Sequence, residues 1–536
     1  MLNFIASINE LFWGAILILL LVGTGIFYTL KLKFVQVRKF KKGVSQLTGD
    51  FDINGKDADH NGMSSFQALA TAIAAQVGTG NLAGAATAIV SGGPGAIFWM
   101  WVSAFFGMAT IYAEAILSQL FKRKVEGEVT GGPAYYIEEL FNKSFLSKIL
   151  AVFFALSCIL ALGFMGNGVQ ANSIGEAMKN AFNISPYITG AVVALLGGFV
   201  FFGGVKRIAS FTEKVVPLMA GLYILICLII IAINYSNVIK AFEAIFVNAF
   251  SMKSILGGFL GMGVKKAIRY GVARGLFSNE AGMGSTPHAH AIAKVKNPVE
   301  QGNVALITVF IDTFIVLTLT ALVILTSNIG DGTLTGISLT QRAFEAALGY
   351  SGTIFIAVAL FFFAFSTIIG WYFFGEANIK YLFGKKAINI YRILVMVAIF
   401  IGSTQKVELV WELADLFNGL MVIPNLIALI VLYKLVVNTS NEYDKLKEIF
   451  LPTFKNNYIV KAELMQRPEV LAQYLVGEDF TKYMDVGYYA KFSAIAIKNG
   501  DYRVNILVKE NEEMSLTEAR FIIKKDKGIV TILPTE

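Results

Sequence analysis

The sequence predicts an all-α membrane protein with eleven transmembrane helices, and three observations support this fold class. The 536-residue chain is 56% hydrophobic and only 15% charged, whereas soluble globular proteins carry roughly 25% charge. Apolar runs of about the 20 residues that a helix needs to cross a bilayer recur as far as Val437. Two of these runs are interrupted by segments rich in glycine and polar residues, at 78–81 and 275–282.

Hydrophobic patterning places the eleven spans at 11–30, 64–90, 96–121, 147–178, 187–203, 211–234, 264–293, 299–327, 351–381, 387–403 and 414–437. We expect the second span to be broken near residue 79 and the seventh near residue 278. The first run has no basic residues before it and six basic residues after it, between 31 and 42. A signal peptide has the opposite flanks, so we expect a retained helix.

The distribution of basic residues predicts the orientation. Cytoplasmic loops of membrane proteins carry an excess of Lys and Arg. If segment 31–42 is cytoplasmic, the N-terminus lies outside, and the basic loops near residues 122, 206, 294, 385 and 434 all fall inside. Loop 235–266 is a mild exception. We therefore expect a multi-pass plasma-membrane protein with a cytoplasmic C-terminus.

The spans suggest an inverted repeat. Without the first span, the core divides into two sets of five, about 64–234 and 264–437, and each set opens with an interrupted helix. Because five is odd, the second set enters from the opposite side, as in inverted-repeat transporters. The predicted organisation is an extra N-terminal helix with its basic segment at 1–45, a core at 46–440 and a soluble domain at 441–536.

The C-terminal segment differs in composition from the rest. Residues 451–536 contain twelve basic and twelve acidic residues, which predicts a small cytoplasmic α+β domain. The Asn-Gly within 498–501 indicates a hairpin, and Ser515-x-x-Glu518 has the pattern of a helix capping box. The role of this segment is not readable from its sequence.

Composition also excludes other classes of function. The net charge of +8 lies in short loops between apolar spans rather than in a nucleic-acid-binding patch. The two cysteines lie within apolar runs, so we expect no disulfide or metal framework, and we predict no organic cofactor.

Interrupted membrane helices expose backbone groups that bind ligands. The free N–H groups at the start of a half-helix suit a carboxylate, and the free carbonyls at the end of one suit a cation. Gly78 and Gly80 allow unusual φ values and a close approach of a ligand, and Thr79 adds a hydroxyl. In the second interruption Ser278 offers the same hydroxyl function, with Phe277 as an apolar wall. The alternative is helix packing, because residues 80–84 also form a GxxxG motif.

Three motifs resemble the alanine/glycine:cation symporter family, also called sodium:alanine symporters. They are QVGTGNLAG at 76–84 followed by SGGPGAIFWMW at 91–101, GLFSNEAGMGS at 275–285, and FMGNGVQANS at 164–173. The resemblance covers most of residues 1–440. It implies a LeuT-type fold with one added span, and sodium-coupled uptake of alanine or glycine across the membrane by alternating access.

The resemblance implies site residues. Gln76 joins the substrate residues of the first interruption, and Trp371 caps the pocket, with further substrate contacts at Phe164, Asn167, Gln170 and Thr367. By analogy with the LeuT-type fold, sodium lies between the carbonyls of Ala74 and Val77 and the hydroxyls of Ser366 and Thr367. Asn81 is a candidate for a second ion. Simple back-bonding of Ser366 and Thr367 within their own helix is the alternative.

Several alternatives stay open at this stage. Glu280, beside the second interruption, either holds its backbone by accepting N–H bonds or serves as a proton site, which would make the transporter proton-coupled. The other acids in or beside spans are expected to pair with basic or backbone groups or to lie at interfaces: Glu114, Glu176, Asp312 and Glu376. A sensor that signals through the C-terminal domain is a second class of function. A membrane enzyme with Ser278 as nucleophile lacks a neighbouring His or Lys in the sequence.

Overall fold

A computed structural model describes residues 2–49, 62–250, 262–327, 329, 334–453, 484–485, 490–497, 501–510, 515–526 and 529–534. The chain divides into two compact units, Met1–Val437 and Asn438–Glu536. The described residues of the first unit are almost entirely helical, apart from one short hairpin.

The described residues of the first half of the helical unit form thirteen α-helices. They are α1 Leu2–Leu11, α2 Leu17–Lys31, α3 Val35–Arg38, α4 Phe40–Gly49, α5 Ser65–Gln76, α6 Ala85–Gly92, α7 Gly95–Leu120, α8 Pro133–Glu138, α9 Phe145–Cys158, α10 Asn167–Phe182, α11 Pro186–Phe201, α12 Gly204–Ile233 and α13 Tyr235–Phe250. π-Helical turns at Phe12–Ile16 and Ile159–Gly166 join α1 to α2 and α9 to α10. Strands β1 (Arg123–Val125) and β2 (Glu128–Thr130) form an antiparallel hairpin after α7.

The second half begins after residue 261. Its helices are α14 Met262–Asn279, α15 Pro287–Ala291, α16 Pro298–Val309, α17 Thr318–Thr326, α18 Gly336–Leu348, α19 Tyr350–Phe383, α20 Ile388–Thr404, α21 Val407–Val431 and α22 Tyr433–Thr453. A π-helical stretch, Phe310–Leu317, joins α16 to α17.

Length and composition qualify fewer helices as membrane spans than the sequence predicts. Among the described residues, eight are long and apolar enough, or nine if the bent pair formed by Ser65–Gln76 and Gly80–Gly92 is one span. Helix α11 has only 16 residues, and α14 carries four basic residues. Eleven spans and the inverted repeat therefore stay predictions.

The first interruption lies where the sequence predicts it. Ser64 begins α5 with a capping box, in which its side chain accepts the N–H of Gln67 and its own N–H bonds to the Gln67 side chain. The helix ends when Val77 adopts an extended conformation, with φ −81° and ψ 93°. The chain resumes as a π-helical turn, Gly80–Gly84, and α6 follows with a 45° bend relative to α5.

The second interruption begins later than predicted. Ser278 lies in the last turn of α14, and the helix ends at Asn279. Glu280, Gly282 and Gly284 then adopt positive φ values of 59°, 83° and 80° before α15 starts. The break therefore lies within two residues of the predicted position, 278, and it starts where the chain enters the left-handed region at Glu280.

Glu114 on α7 holds this second interruption. Its two carboxylate oxygens accept the N–H groups of Gly282 and Gly284, each at 3.0 Å, and the Asn425 side chain adds a bond of 2.6 Å. The Glu114 side chain is fully buried. It replaces the backbone partners that an uninterrupted helix would provide.

Two backbone hydrogen bonds join the start of the first interrupted helix to the end of the second. Met63, just before α5, donates its N–H to the carbonyl of Ile292 at 3.0 Å, and its own carbonyl accepts the N–H of Lys294 at 2.9 Å. This pairs Met63 with Ala293, just after α15. Gly62 has a φ of 116°, and a Cβ there would lie 2.1 Å from the Ile292 oxygen.

In the second unit, the described residues after α22 form a five-stranded antiparallel sheet in the order β3-β4-β5-β6-β7. Its strands are β3 Met484–Asp485, β4 Ala490–Ile497, β5 Asp501–Glu510, β6 Ser515–Asp526 and β7 Ile529–Pro534. Strands β4 and β5 pair on either side of the predicted hairpin turn, whose residues 498–500 lie outside the described residues. The predicted capping box is wrong, because Ser515 and Glu518 lie in β6 and pair with β5.

We expect Glu114→Leu to destabilise the purified protein, because the buried N–H groups of Gly282 and Gly284 lose their acceptors. An unpaired buried polar group costs about 1–3 kcal/mol. Thermal unfolding in detergent measures the effect. Glu176→Gln is a matched control, since Glu176 is only half buried and accepts one hydroxyl, that of Ser338. Equal melting temperatures for Glu114→Leu and wild type would contradict this role.

Candidate functional site

The two interrupted helices touch at their interruptions. A Cβ on Gly80 would lie 2.9 Å from the α-carbon of Ser278, and the Gln76 side chain donates to the carbonyl of Asn279 at 2.6 Å. Neither Gly78 nor Gly80 has a positive φ. Glycine is therefore needed here for close approach and not, as the sequence suggested, for an unusual backbone conformation.

Four oxygen-bearing groups converge between α5 and α19. The Thr367 hydroxyl lies 2.9 Å from the carbonyl oxygen of Ala74 and 3.3 Å from that of Val77. The Ser366 hydroxyl lies 3.4 Å from the Ala74 oxygen. Both hydroxyls also lie within reach of the Phe363 carbonyl on their own helix. The geometry therefore includes both the interhelical contact and the back-bonding that the sequence left as alternatives.

Gly78 makes this convergence possible. A Cβ at Gly78 would lie 2.3 Å from the Thr367 hydroxyl oxygen and 3.0 Å from the Gln170 side-chain oxygen. Any larger residue would push α19 and α10 away from the interruption. The glycine thus brings a threonine and a glutamine from two other helices onto the exposed backbone of residues 77–80.

Side-chain amide oxygens accept hydrogen bonds from two backbone N–H groups of the first interruption. The N–H of Gly78 donates to the Asn81 side-chain oxygen at 3.0 Å, and the N–H of Thr79 donates to that of Gln170 at 3.1 Å. These donors face the carbonyl oxygens of neutral amides. A ligand carboxylate is a stronger acceptor of the same bonds.

Asp312 lies at the junction of the two interruptions and accepts side-chain donors, whereas the sequence analysis expected basic or backbone partners or a position at an interface. Its Oδ1 accepts the Asn81 amide at 2.7 Å and the Ser278 hydroxyl at 3.0 Å, and its Oδ2 accepts the Thr313 hydroxyl at 2.8 Å. The side chain is fully buried. The available signal was an acid in an otherwise apolar predicted span, which marks a functional candidate by default.

Within the described residues, three of the buried polar atoms that have no hydrogen-bond partner belong to residues that the sequence analysis assigned to the substrate: Gln76 Oε1, Thr79 Oγ1 and Asn167 Oδ1. Buried polar atoms are normally paired, because leaving one unpaired is unfavourable. Two of the three are amide oxygens, which accept hydrogen bonds and cannot donate them.

Aromatic rings close the other side of this region. The Phe277 ring lies edge-on to Trp371, with centroids 5.7 Å apart, and 4.8 Å from the centroid of Trp411. Trp371 follows Thr367 by one turn on α19. Phe164 instead contacts Tyr391 on α20, with a centroid distance of 5.8 Å, so no ring contact places it beside Trp371.

Glu280 does not bind the backbone N–H groups of the interruption; Glu114 does. The Glu280 oxygens accept the indole N–H of Trp371 and the Ser285 hydroxyl. Within the described part of the chain, the hydrogen-bond partners of the buried carboxylates Glu114, Glu280 and Asp312 are all neutral. Glu114 pairs with backbone N–H groups and Glu376 pairs with Lys380 at 3.0 Å, as the sequence analysis expected for these two acids.

Two interrupted helices that meet at their interruptions, with hydroxyl and amide groups gathered there, are typical of the binding region of secondary transporters. The sequence profile of the sodium:alanine symporter family matches residues 1–455. The chain belongs to that family.

Individual proteins are similar to this chain over most of its length. Sodium/alanine symporter AgcS of Methanococcus maripaludis is 43% identical over 451 residues, which cover 83% of this chain and 98% of that protein. The probable sodium/glutamine symporter GlnT of Bacillus subtilis is 42% identical over 442 residues, covering 82% and 90%. Among solved structures, that of MhsT in complex with L-phenylalanine covers 69% of this chain and 89% of its own, with 14% identity and a TM-score of 0.49.

We expect Gly80→Ala to destabilise the protein, because the new methyl group would meet the backbone of α14 and not a flexible side chain. Overpacking of this kind costs about 1–3 kcal/mol. Gly221→Ala on α12 is the matched control, since nothing lies within 4 Å of its added Cβ. A melting temperature of Gly80→Ala at or above that of Gly221→Ala would contradict the close contact.

Proposed function

We propose that this protein imports a small neutral amino acid, alanine or glycine, together with sodium across the plasma membrane by alternating access. The observation that carries the proposal is the convergence of the Thr367 hydroxyl with the carbonyls of Ala74 and Val77 at the first interruption. Hard oxygen ligands of this kind suit an alkali cation. Membership of the sodium:alanine symporter family supports the same conclusion.

The amino acid is proposed to bind at the unwound backbone beside the ion. Its carboxylate replaces the Gln170 oxygen as acceptor of the Thr79 N–H, a bond of 3.1 Å in this conformation. The unpaired oxygens of Gln76 and Asn167 then suit the ammonium group, which has donors only. Trp371 and Phe277 limit the space for the side chain.

Sodium binds, in this proposal, to the carbonyl oxygens of Ala74 and Val77 and the hydroxyl oxygens of Ser366 and Thr367. Because the ion joins α5 to α19 and the substrate uses the same interruption, each ligand stabilises the closed arrangement that the other needs. A second ion at Asn81 would be held near Asp312, whose carboxylate contacts the Asn81 amide. One cation crossing about 100 mV provides roughly 2.3 kcal/mol, a concentration ratio of about fiftyfold.

Proton coupling is the second candidate, and one observation favours it. Glu280 and Asp312 are fully buried carboxylates at the interruptions whose described partners are all neutral. A carboxylate without a basic partner in a membrane protein is a candidate proton carrier. A sensor signalling through the C-terminal unit stays open, and an enzyme that uses Ser278 is less favoured, because its hydroxyl is bonded to Asp312 rather than to a histidine.

We expect alanine or glycine uptake into proteoliposomes to require an inward sodium gradient. Replacing sodium with potassium at fixed pH should abolish concentrative uptake, because the larger ion fits the oxygen site poorly. Undiminished uptake in potassium would eliminate sodium coupling. Uptake that follows an imposed pH gradient instead would establish the proton-coupled alternative, and binding without flux would favour a sensor.

We expect Thr367→Ala to raise the sodium concentration needed for half-maximal uptake at least tenfold, since one direct oxygen ligand is worth more than about 1.4 kcal/mol. Thr367→Ser should retain most of the affinity. Thr326→Ala is the matched control, because its hydroxyl is equally buried and bonds only within its own helix, to Leu322 and Val323. Wild-type sodium dependence in Thr367→Ala would remove this residue from the ion site.

A further inference from the structure

The indole of Trp371 is fixed by a hydrogen bond from the second interruption. Its Nε1–H donates to Oε1 of Glu280, and the other Glu280 oxygen accepts the hydroxyl of Ser285 at 2.5 Å. Trp371 lies on α19, whereas Glu280 and Ser285 lie between α14 and α15. The orientation of a side chain on one helix is therefore set by the backbone path of another.

The surroundings of the indole leave it little freedom. A Cβ on Gly166 would lie 2.5 Å from its Cζ3 atom, and the Phe277 ring lies edge-on to it. The side chain is 2% exposed. Glu280 accepts the hydrogen bond of the indole N–H, the only polar group of the ring. Removal of this acceptor leaves a buried N–H without its partner, so the ring must turn to find another.

We propose that Glu280 is a positioning residue that sets the largest substrate side chain this protein accepts, by holding the Trp371 indole in place. The inference rests on the proposed function. Trp371 lies one helical turn from Thr367, about 6 Å along α19, and so stands beside the interruption where the amino acid is proposed to bind. Glu280 itself does not contact the substrate; it acts through the indole.

This role differs from that of a residue that merely stabilises the fold. The backbone N–H groups of the second interruption are bonded to Glu114 and not to Glu280. The two groups that donate to the Glu280 carboxylate, from Trp371 and Ser285, are both side-chain groups. Loss of the Glu280 carboxylate should therefore change which substrates are accepted, and not only how much folded protein is present.

The experiment measures the maximal uptake rate divided by KM in proteoliposomes with a sodium gradient, once for alanine and once for leucine. The readout is the leucine value divided by the alanine value. Glu280→Gln keeps an acceptor oxygen for the indole and should keep the wild-type ratio. Glu280→Leu should shift the ratio towards leucine by about tenfold or more, the scale that a change in pocket size produces. Trp371→Phe keeps a ring but lacks the N–H, and should shift the ratio in the same direction.

A double-mutant cycle tests the connection between the two residues. If Glu280 acts through the indole, Glu280→Leu combined with Trp371→Phe should shift the ratio no further than the larger single effect. Glu176→Gln, a half-buried acid bonded to Ser338, is the control and should leave the ratio unchanged.

Two results would overturn the inference. One is a wild-type leucine-to-alanine ratio in a Glu280→Leu protein that inserts normally into the membrane. The other is a shift of this ratio in the double variant equal to the combined shifts of the two single variants. If Glu280→Leu does not insert, an unchanged ratio in Trp371→Phe overturns it equally. Failure of the proposed function would look different, because the wild-type protein itself would then take up neither amino acid in response to sodium.

Discussion

The contact between Gly80 and Ser278 is the constraint on which the rest of the proposed binding region depends. A Cβ on Gly80 would overlap the α14 backbone, so the two interruptions meet at main-chain distance. Only at that distance can Gln76 reach the carbonyl of Asn279, and Asn81 share Asp312 with Ser278. Backbone that has left the helix is tolerated in a bilayer only where protein or a cavity covers it, and here each interruption covers the other.

Buried acids supply what the interrupted helices lose. An ionisable side chain in the membrane is energetically unfavourable and usually has a functional role. Glu114 accepts the backbone N–H groups of the second interruption, Asp312 gathers donors from both interruptions, and Glu280 accepts side-chain donors alone. The three carboxylates thus have separate tasks: one holds backbone, one joins the two helices, and one orients an indole.

The sequence predicted the features that leave a local pattern. Long apolar runs, the first interruption and the family motifs were all readable from it, and the structure brings Thr367 next to Ala74 and Val77 as the family pattern implies. Contacts between distant residues were not readable. Glu114 lies 168 residues from Gly282, and nothing in its own apolar segment identifies that partner.

Other errors have a physical cause in local ambiguity. The motif at 275–282 contains two glycines, and only Gly282 takes a left-handed conformation. Gly275 stays in α14 and allows α7 to approach, with the Ser103 hydroxyl 3.0 Å from where its Cβ would lie. The pattern Ser515-x-x-Glu518 also fits a strand, and both residues pair with β5. A spacing of three residues does not by itself distinguish a helix start from a strand.

The bridge between Met63 and Ala293 has a consequence for motion. Two main-chain hydrogen bonds tie the beginning of α5 to the segment that follows α15, so neither end can swing without pulling the other. The helices can bend at Val77 and around Glu280, where the regular helical hydrogen bonds are already interrupted. The two interrupted helices should therefore tilt together and bend only at these two points. Any passage that opens beside them then opens along both helices at once.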